Sequence, residues 1–186
     1  MTPDQIAALF TDPAGAFLCA RWGRPTAPVL FGVADDSLAV MRAALTAAFR
    51  DMGQPMAETD PESGANLIGF FVRDWAELAS VPDLDQLTGR PGIPHRLMEQ
   101  DARRYRLLRF DEGGAIRACI SFARVSDTDH PAALAESMAV NAALSFAAEV
   151  QPSPQIAALL RAAYDPRLPA VARDPAYALR LAARMA

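Results

Sequence analysis

Asn66-Leu67-Ile68-Gly69-Phe70-Phe71-Val72 is apolar on both of its alternating faces, the pattern of a strand covered on two sides at the centre of a sheet. Upstream, Pro28-Val29-Leu30-Phe31-Gly32-Val33 is a second short apolar run bounded by turn residues, which reads as the first strand. Between the two, Leu38, Met41, Leu45, Ala48, Phe49 and Met52 recur at helical spacing until Gly53. That spacing predicts a helix crossing back over the sheet, capped by Asp35 or Asp36 and ended by the glycine.

Downstream, Asp74 is placed to cap a short helix through Trp75 and Leu78, and Pro82 to His95, containing Gly89-Arg90-Pro91-Gly92, reads as a long loop. The runs Tyr105 to Asp111 and Ala115 to Val125 flank Glu112-Gly113-Gly114 and predict an antiparallel hairpin. Period-two alternation puts Ile116, Ala118, Ile120 and Phe122 on its buried face and Cys119 on a more polar one. Three helices are expected after Pro131: 131–148, then 153–164 with Ser153 as N-cap, then 174–185 with Asp174 and Pro175 at its start. At the N-terminus, Thr2-Pro3-Asp4 opens a short amphipathic helix carrying Ile6, Leu9 and Phe10. The sum is a single α+β domain over 1–186. It has a mixed, mostly antiparallel sheet of about four strands with helices packed on it and a helical C-terminal third.

Hydrophobic residues make up 52% of the 186 and charged residues 22%, a globular balance. All 18 basic residues are arginine, which fits a GC-rich coding bias. A net charge of −4 argues against nucleic acid or an anionic membrane as partner. Glu136, Asn141 and Glu149 interrupt the longest apolar stretch, 132–150, so it reads as a buried helix rather than a membrane span. No secretory signal is legible in the first residues, and the cytoplasm is the expected compartment. Cys19 and Cys119 then read as small core residues.

Glu136 is the catalytic candidate, because its helical neighbours Ala132, Ala133, Ala139 and Val140 are apolar and a buried carboxylate there would have a raised pKa. The alternative is that Glu136 points to solvent or pairs with an arginine from another element, for which Arg124 and Arg161 are available. His95 stands at the end of the long loop with Arg90 and Arg96 near it, and His130 closes the loop before Pro131. His95, Arg90, Arg96, His130 and Arg124 are the binding candidates. Arg103-Arg104-Tyr105-Arg106 is a basic cluster with an aromatic inside it. Glu99, Asp101, Asp111 and Glu112 flank it, so it reads as a helix-to-strand junction with ordinary ion pairs. No metal site and no cofactor motif are read.

The Arg21-Trp22 and Arg24-Pro25 lead-in, the Gly114-Ala115-Ile116-Arg117-Ala118 strand entry and the Tyr164-Asp165-Pro166-Arg167-Leu168 turn resemble an uncharacterised bacterial domain family related to zincin-like metallopeptidases. The resemblance covers about 19–168. It implies a zincin-like order of elements, with the His-Glu-x-x-His helix at the long apolar helix. Here that stretch is Ala135-Glu136-Ser137-Met138-Ala139, with alanine at both imidazole positions, so the resemblance implies a metal-free derivative that keeps only Glu136. The expected function is a non-catalytic binding or interaction module with a protein or small-molecule partner, using the sheet edge, the 82–95 loop and the cleft above helix 131–148. The alternatives are a metal-independent hydrolase with Glu136 as general base on water, and a structural homo-oligomer such as a homodimer.

Overall fold

In the computed structural model, which describes residues 1–185, the stretch quoted first forms β3 (Leu67–Val72). It is an inner strand of a four-stranded sheet ordered β2 (Pro28–Phe31), β3, β5 (Ile116–Arg124), β4 (Arg104–Phe110). A mixed α+β sheet of four strands is as expected; its balance is not. β2 with β3 and β3 with β5 run parallel, and β4 with β5 alone is antiparallel. Composition explains the difference. β5 is the more apolar hairpin strand and takes the inner position, while arginine-rich β4 takes the edge, so the hairpin's second strand runs in the direction of β3.

β5 is buried on both faces, and Cys119 is 1% exposed rather than on a polar face. Burial pushes the Cys119 thiol up to about 12, and the Cys19 thiol likewise. Both cysteines are free, and thiols held in this state are poor nucleophiles.

One sheet face packs under α2 (Asp35–Met52) and α5 (Pro131–Ala143), backed by α1 (Pro3–Leu9), α6 (Pro154–Ala163) and α7 (Tyr177–Met185). The other face carries Phe70, Ile120 and Phe122 against a 3-10 helix (Trp75–Ser80), α3 (Leu84–Thr88) and α4 (Ile93–Glu99). On it an aromatic row crosses the sheet, Phe31 to Phe70 to Phe122 to Tyr105, with ring centroids 5.1, 5.3 and 6.2 Å apart. A two-strand ribbon of β1 (Cys19–Ala20) and β6 (Val171–Ala172) closes the helical side. No helix among the described residues is long and apolar enough to cross a membrane.

Local chemistry sets most boundaries. Thr2 and Gln5 form a capping box on α1, and Gly53 caps α2 in the left-handed region. α2 starts from Ala34 without a side-chain cap, so Asp35 and Asp36 act as first-turn acids favouring the helix dipole. The stretch 82–95 is not a loop. Leu84 and Ile93 bury against the 3-10 helix side of the sheet and draw it into α3 and α4. α5 ends at Ala143 rather than 148, because the next residues turn extended and bind the β1 segment, Ser145 N–H donating to the Ala20 carbonyl at 3.0 Å. α7 begins at Tyr177, the Asp174 carboxylate accepting from Ala176 N–H at 2.9 Å ahead of it.

The Arg21-Trp22 lead-in, the Gly114 to Ala118 strand entry and the Tyr164 to Leu168 turn meet in space. Ile116 N–H donates to the Arg21 carbonyl at 2.8 Å, and Trp22 Nε1 donates to the Ala142 carbonyl at 2.8 Å. Arg21 lies over the Tyr164 ring at 5.6 Å and donates to the Leu168 carbonyl at 3.1 Å. The Arg21-Trp22 lead-in thus joins the start of β5, the end of α5 and the turn after α6.

Two carboxylates fasten loops. Burial pushes the Asp60 carboxyl up, but hydrogen bonds from the Ser63 hydroxyl, the Ser63 and Glu62 amides and Asn66 outweigh it and bring its pKa to about 2. Hydrogen bonds from Arg167, and then from Arg184, hold Asp165 well below the usual carboxylate range. Both ionise more readily folded than unfolded. Their stabilisation is therefore complete above the ordinary value of 3.8 and is lost as pH falls through the folded values. Melting temperature is expected to hold steady from neutral pH down to about 5 and to fall steeply below about 4. Asp60→Asn should flatten that acid limb when melts are followed by circular dichroism.

Candidate functional site

A cavity of about 730 Å³ opens between the sheet and α5 along the β4 edge. Its floor is Phe71, Ser121 and Ala123 of the inner strands with Leu108 of β4. Ser137, Met138 and Asn141 of α5 form the roof, and Phe10, Phe17 and Phe146 the apolar back. The size lies within the range of about 300–1,000 Å³ typical of small-ligand sites.

Charge is concentrated there. The lining includes Arg90, Arg104, Arg106 and Arg173 against the carboxylates Asp12 and Glu149, in a chain of net charge −4. Arg104 and Arg106 are two apart on β4 and pair with Ala123 and Ser121 of β5, so both point to the α5 side. Arg104 donates to the Ser137 hydroxyl at 2.9 Å and to Glu149 Oε1 at 2.6 Å. Arg106 donates to the main-chain carbonyls of Asn141 and Phe146 and to that of Ala148 at 3.4 Å, with no carboxylate within 4.0 Å among the described residues. It closes the carbonyl end of α5, where the helix dipole supplies about half a negative charge. Burial lowers its pKa below the ordinary arginine value, yet a guanidinium stays protonated.

Most of the sequence candidates lie elsewhere. Glu136 is exposed on α5 and does not line the cavity. Ala135 and Ala139, on the face turned into the core, are fully buried. Of the two placements open to Glu136, the structure has the solvent-facing one: Ala135 and Ala139 mark the helix face that packs, and the carboxylate stands off that face beside exposed Ala133. Arg124 pairs with Asp101 at 2.8 Å instead. His95 is exposed on α4 with Glu99 at 3.5 Å, and Arg96 is exposed beside it. His130 caps α5, its Nδ1 accepting from Ala132 N–H at 3.3 Å. Arg90 alone of the five binding candidates reaches the cavity, donating to the Tyr105 hydroxyl at 3.2 Å. No group of three or more His, Cys, Asp or Glu side chains among the described residues is placed to hold a metal ion.

Of the other arginines at the cavity, Arg104 and Arg106 were read from sequence only as part of an ion-paired junction, and Arg173 was not singled out. The signal for the first two was present: 104, 106 and 108 share a strand face with period two, and Leu108 marks that face as inward. A smaller hollow of about 420 Å³ on the other sheet face is lined by Arg24, Arg109 and Arg117, but Glu62 already bridges Arg24 at 3.0 Å and Arg117 at 3.4 Å. Comparison of the chain with known protein families, curated proteins and solved structures finds no match.

Proposed function

We propose that this chain is a non-catalytic binding module and that its site is the cavity between the sheet and α5, with a small molecule as its partner. One observation carries the reading: an apolar space of about 730 Å³ is bordered by four arginines and only two carboxylates, the mixture of apolar wall and few polar anchors that small-molecule sites share. Two of the three serines at the cavity, Ser137 and Ser145, are committed to structure, and no histidine lines the space to activate the third, Ser121. Ser145 accepts from Ala20 N–H at 2.7 Å and donates to the Leu18 carbonyl at 2.8 Å, and Ser137 accepts from Arg104. The exposed Glu136 weighs against the hydrolase alternative, because water beside it is not enclosed. Two free buried thiols are in keeping with the cytoplasm as compartment. The alanines at 135 and 139 fit a metal-free derivative of a zincin-like fold.

Ligand-observed NMR with a fragment library tests the site. Fragments that bind the wild type should be lost in Ala148→Trp, which places an indole at an exposed lining position with the melting temperature unchanged. Hits that persist in a folded Ala148→Trp variant would remove the cavity as their site.

A further inference from the structure

Resting on the cavity as the binding site, we propose that its ligand is an organic carboxylate with an apolar body, and that it takes the Arg104 guanidinium by displacing Glu149. Glu149 already shows the chemistry that fits. Its carboxylate receives a 2.6 Å charge-assisted hydrogen bond from Arg104, whose same nitrogen also donates to the Ser137 hydroxyl at 2.9 Å. This internal pair sits at the cavity mouth, with the Arg104 side chain 26% and the Glu149 side chain 39% exposed, so solvent screens it and it is cheap to open. Glu149 belongs to an exposed stretch, 147–149, so its side chain can rotate into solvent without unpacking the core.

Arg106 adds the second argument. It lies on the same strand face as Arg104, faces only main-chain carbonyls among its hydrogen-bond partners, and is charged in a partly desolvated place. Against the two guanidiniums stand one carboxylate and about half a charge from the end of α5, which leaves positive potential directed into the cavity. A ligand carboxylate entering at the β4 edge meets that potential. Behind it, Phe10, Phe17, Phe71, Leu108 and Leu134 offer apolar surface to the rest of the molecule. Charge and hydrophobic body are thus read at opposite ends of one space.

The experiment is isothermal titration of the full chain at low salt with 4-phenylbutyrate, its neutral amide and inorganic phosphate, repeated on Arg104→Gln and Glu149→Gln. Circular dichroism checks that each variant is folded. The acid is expected to bind at least about tenfold more tightly than the amide or phosphate. Arg104→Gln should weaken the acid by about tenfold, and Glu149→Gln should tighten it by about threefold or more, since the internal competitor is gone. A merely structural Arg104–Glu149 pair would not produce that gain. If acid and amide bind alike, or Glu149→Gln leaves the acid's affinity unchanged, this inference falls while the cavity remains a binding site. Phosphate binding as tightly as the acid would also overturn it, in favour of a bare anion site. If all three probes fail and no fragment binds either, the binding-module reading falls with it.

Discussion

Gly32→Ala is expected to destabilise the protein by at least about 3 kcal/mol, a large share of the roughly 5–15 kcal/mol that holds an ordinary domain folded. Gly32 follows β2 with φ +75°, and a Cβ there would lie 1.9 Å from the Phe71 carbonyl oxygen of β3. The obstacle is main chain on an inner strand. It cannot move aside without breaking the parallel register in which Phe31 faces Phe70. Gly53 provides the control. Its φ is +83°, but no atom lies within 4 Å of the added Cβ, so Gly53→Ala carries only the left-handed backbone cost of about 1 kcal/mol. Urea unfolding of the two variants side by side separates conformational strain from collision. Equal, mild effects would mean that β2 and β3 do not approach as described.

Trp22→Ala is expected to cost about 3–5 kcal/mol. The indole is 4% exposed, and its N–H donates to the Ala142 carbonyl at 2.8 Å, near the end of α5. Its neighbour in chain, Arg21, holds Ile116 and Leu168, so the truncation opens a void where three parts of the chain are joined. Trp22→Phe keeps much of the apolar volume but leaves the Ala142 carbonyl without its donor, and should cost about 1–2 kcal/mol. Chemical denaturation followed by circular dichroism measures both. If Trp22→Ala were no worse than Trp22→Phe, packing would not be what holds the lead-in to α5.

The elements legible in the sequence are those whose signals are local. The two-faced apolarity of 67–72, the Thr2-Pro3-Asp4 helix start, the run ending at Gly53 and the Gly113-Gly114 hairpin turn each state their own structure. Strand direction is not local. Nothing near Tyr105 or Ile116 says which hairpin strand will lie against β3; that is decided by the double-sided burial of β5, visible only when both neighbours are in place. The end of α5 is set at a distance as well. Leu144 begins an extended stretch because Ala20 and Arg106, far away in sequence, take its hydrogen bonds.

The site was obscured for a related reason. In sequence, the acids around Arg103 to Arg106 suggest a helix-to-strand junction with ordinary ion pairs, and the fold makes such pairs with acids from farther away, Arg103 with Asp129 at 2.7 Å and Arg104 with Glu149 at 2.6 Å, while Asp101 pairs with Arg124. That Arg104 and Arg106 both face α5 is set by the β4–β5 register, which no local signal states. Glu136 could not be placed from sequence, because a carboxylate among alanines is compatible with burial or with solvent until the helix face that packs is known.

The most direct test is a ¹H–¹⁵N NMR titration of the wild-type chain with 4-phenylbutyrate. Saturable shifts are predicted for the amides of 104–108, Ser121, 137–141 and 145–149, which border the cavity. Shifts confined to the opposite sheet face, around Arg24, Arg109 and Arg117, or no saturable shifts anywhere, would contradict the cavity as the binding site.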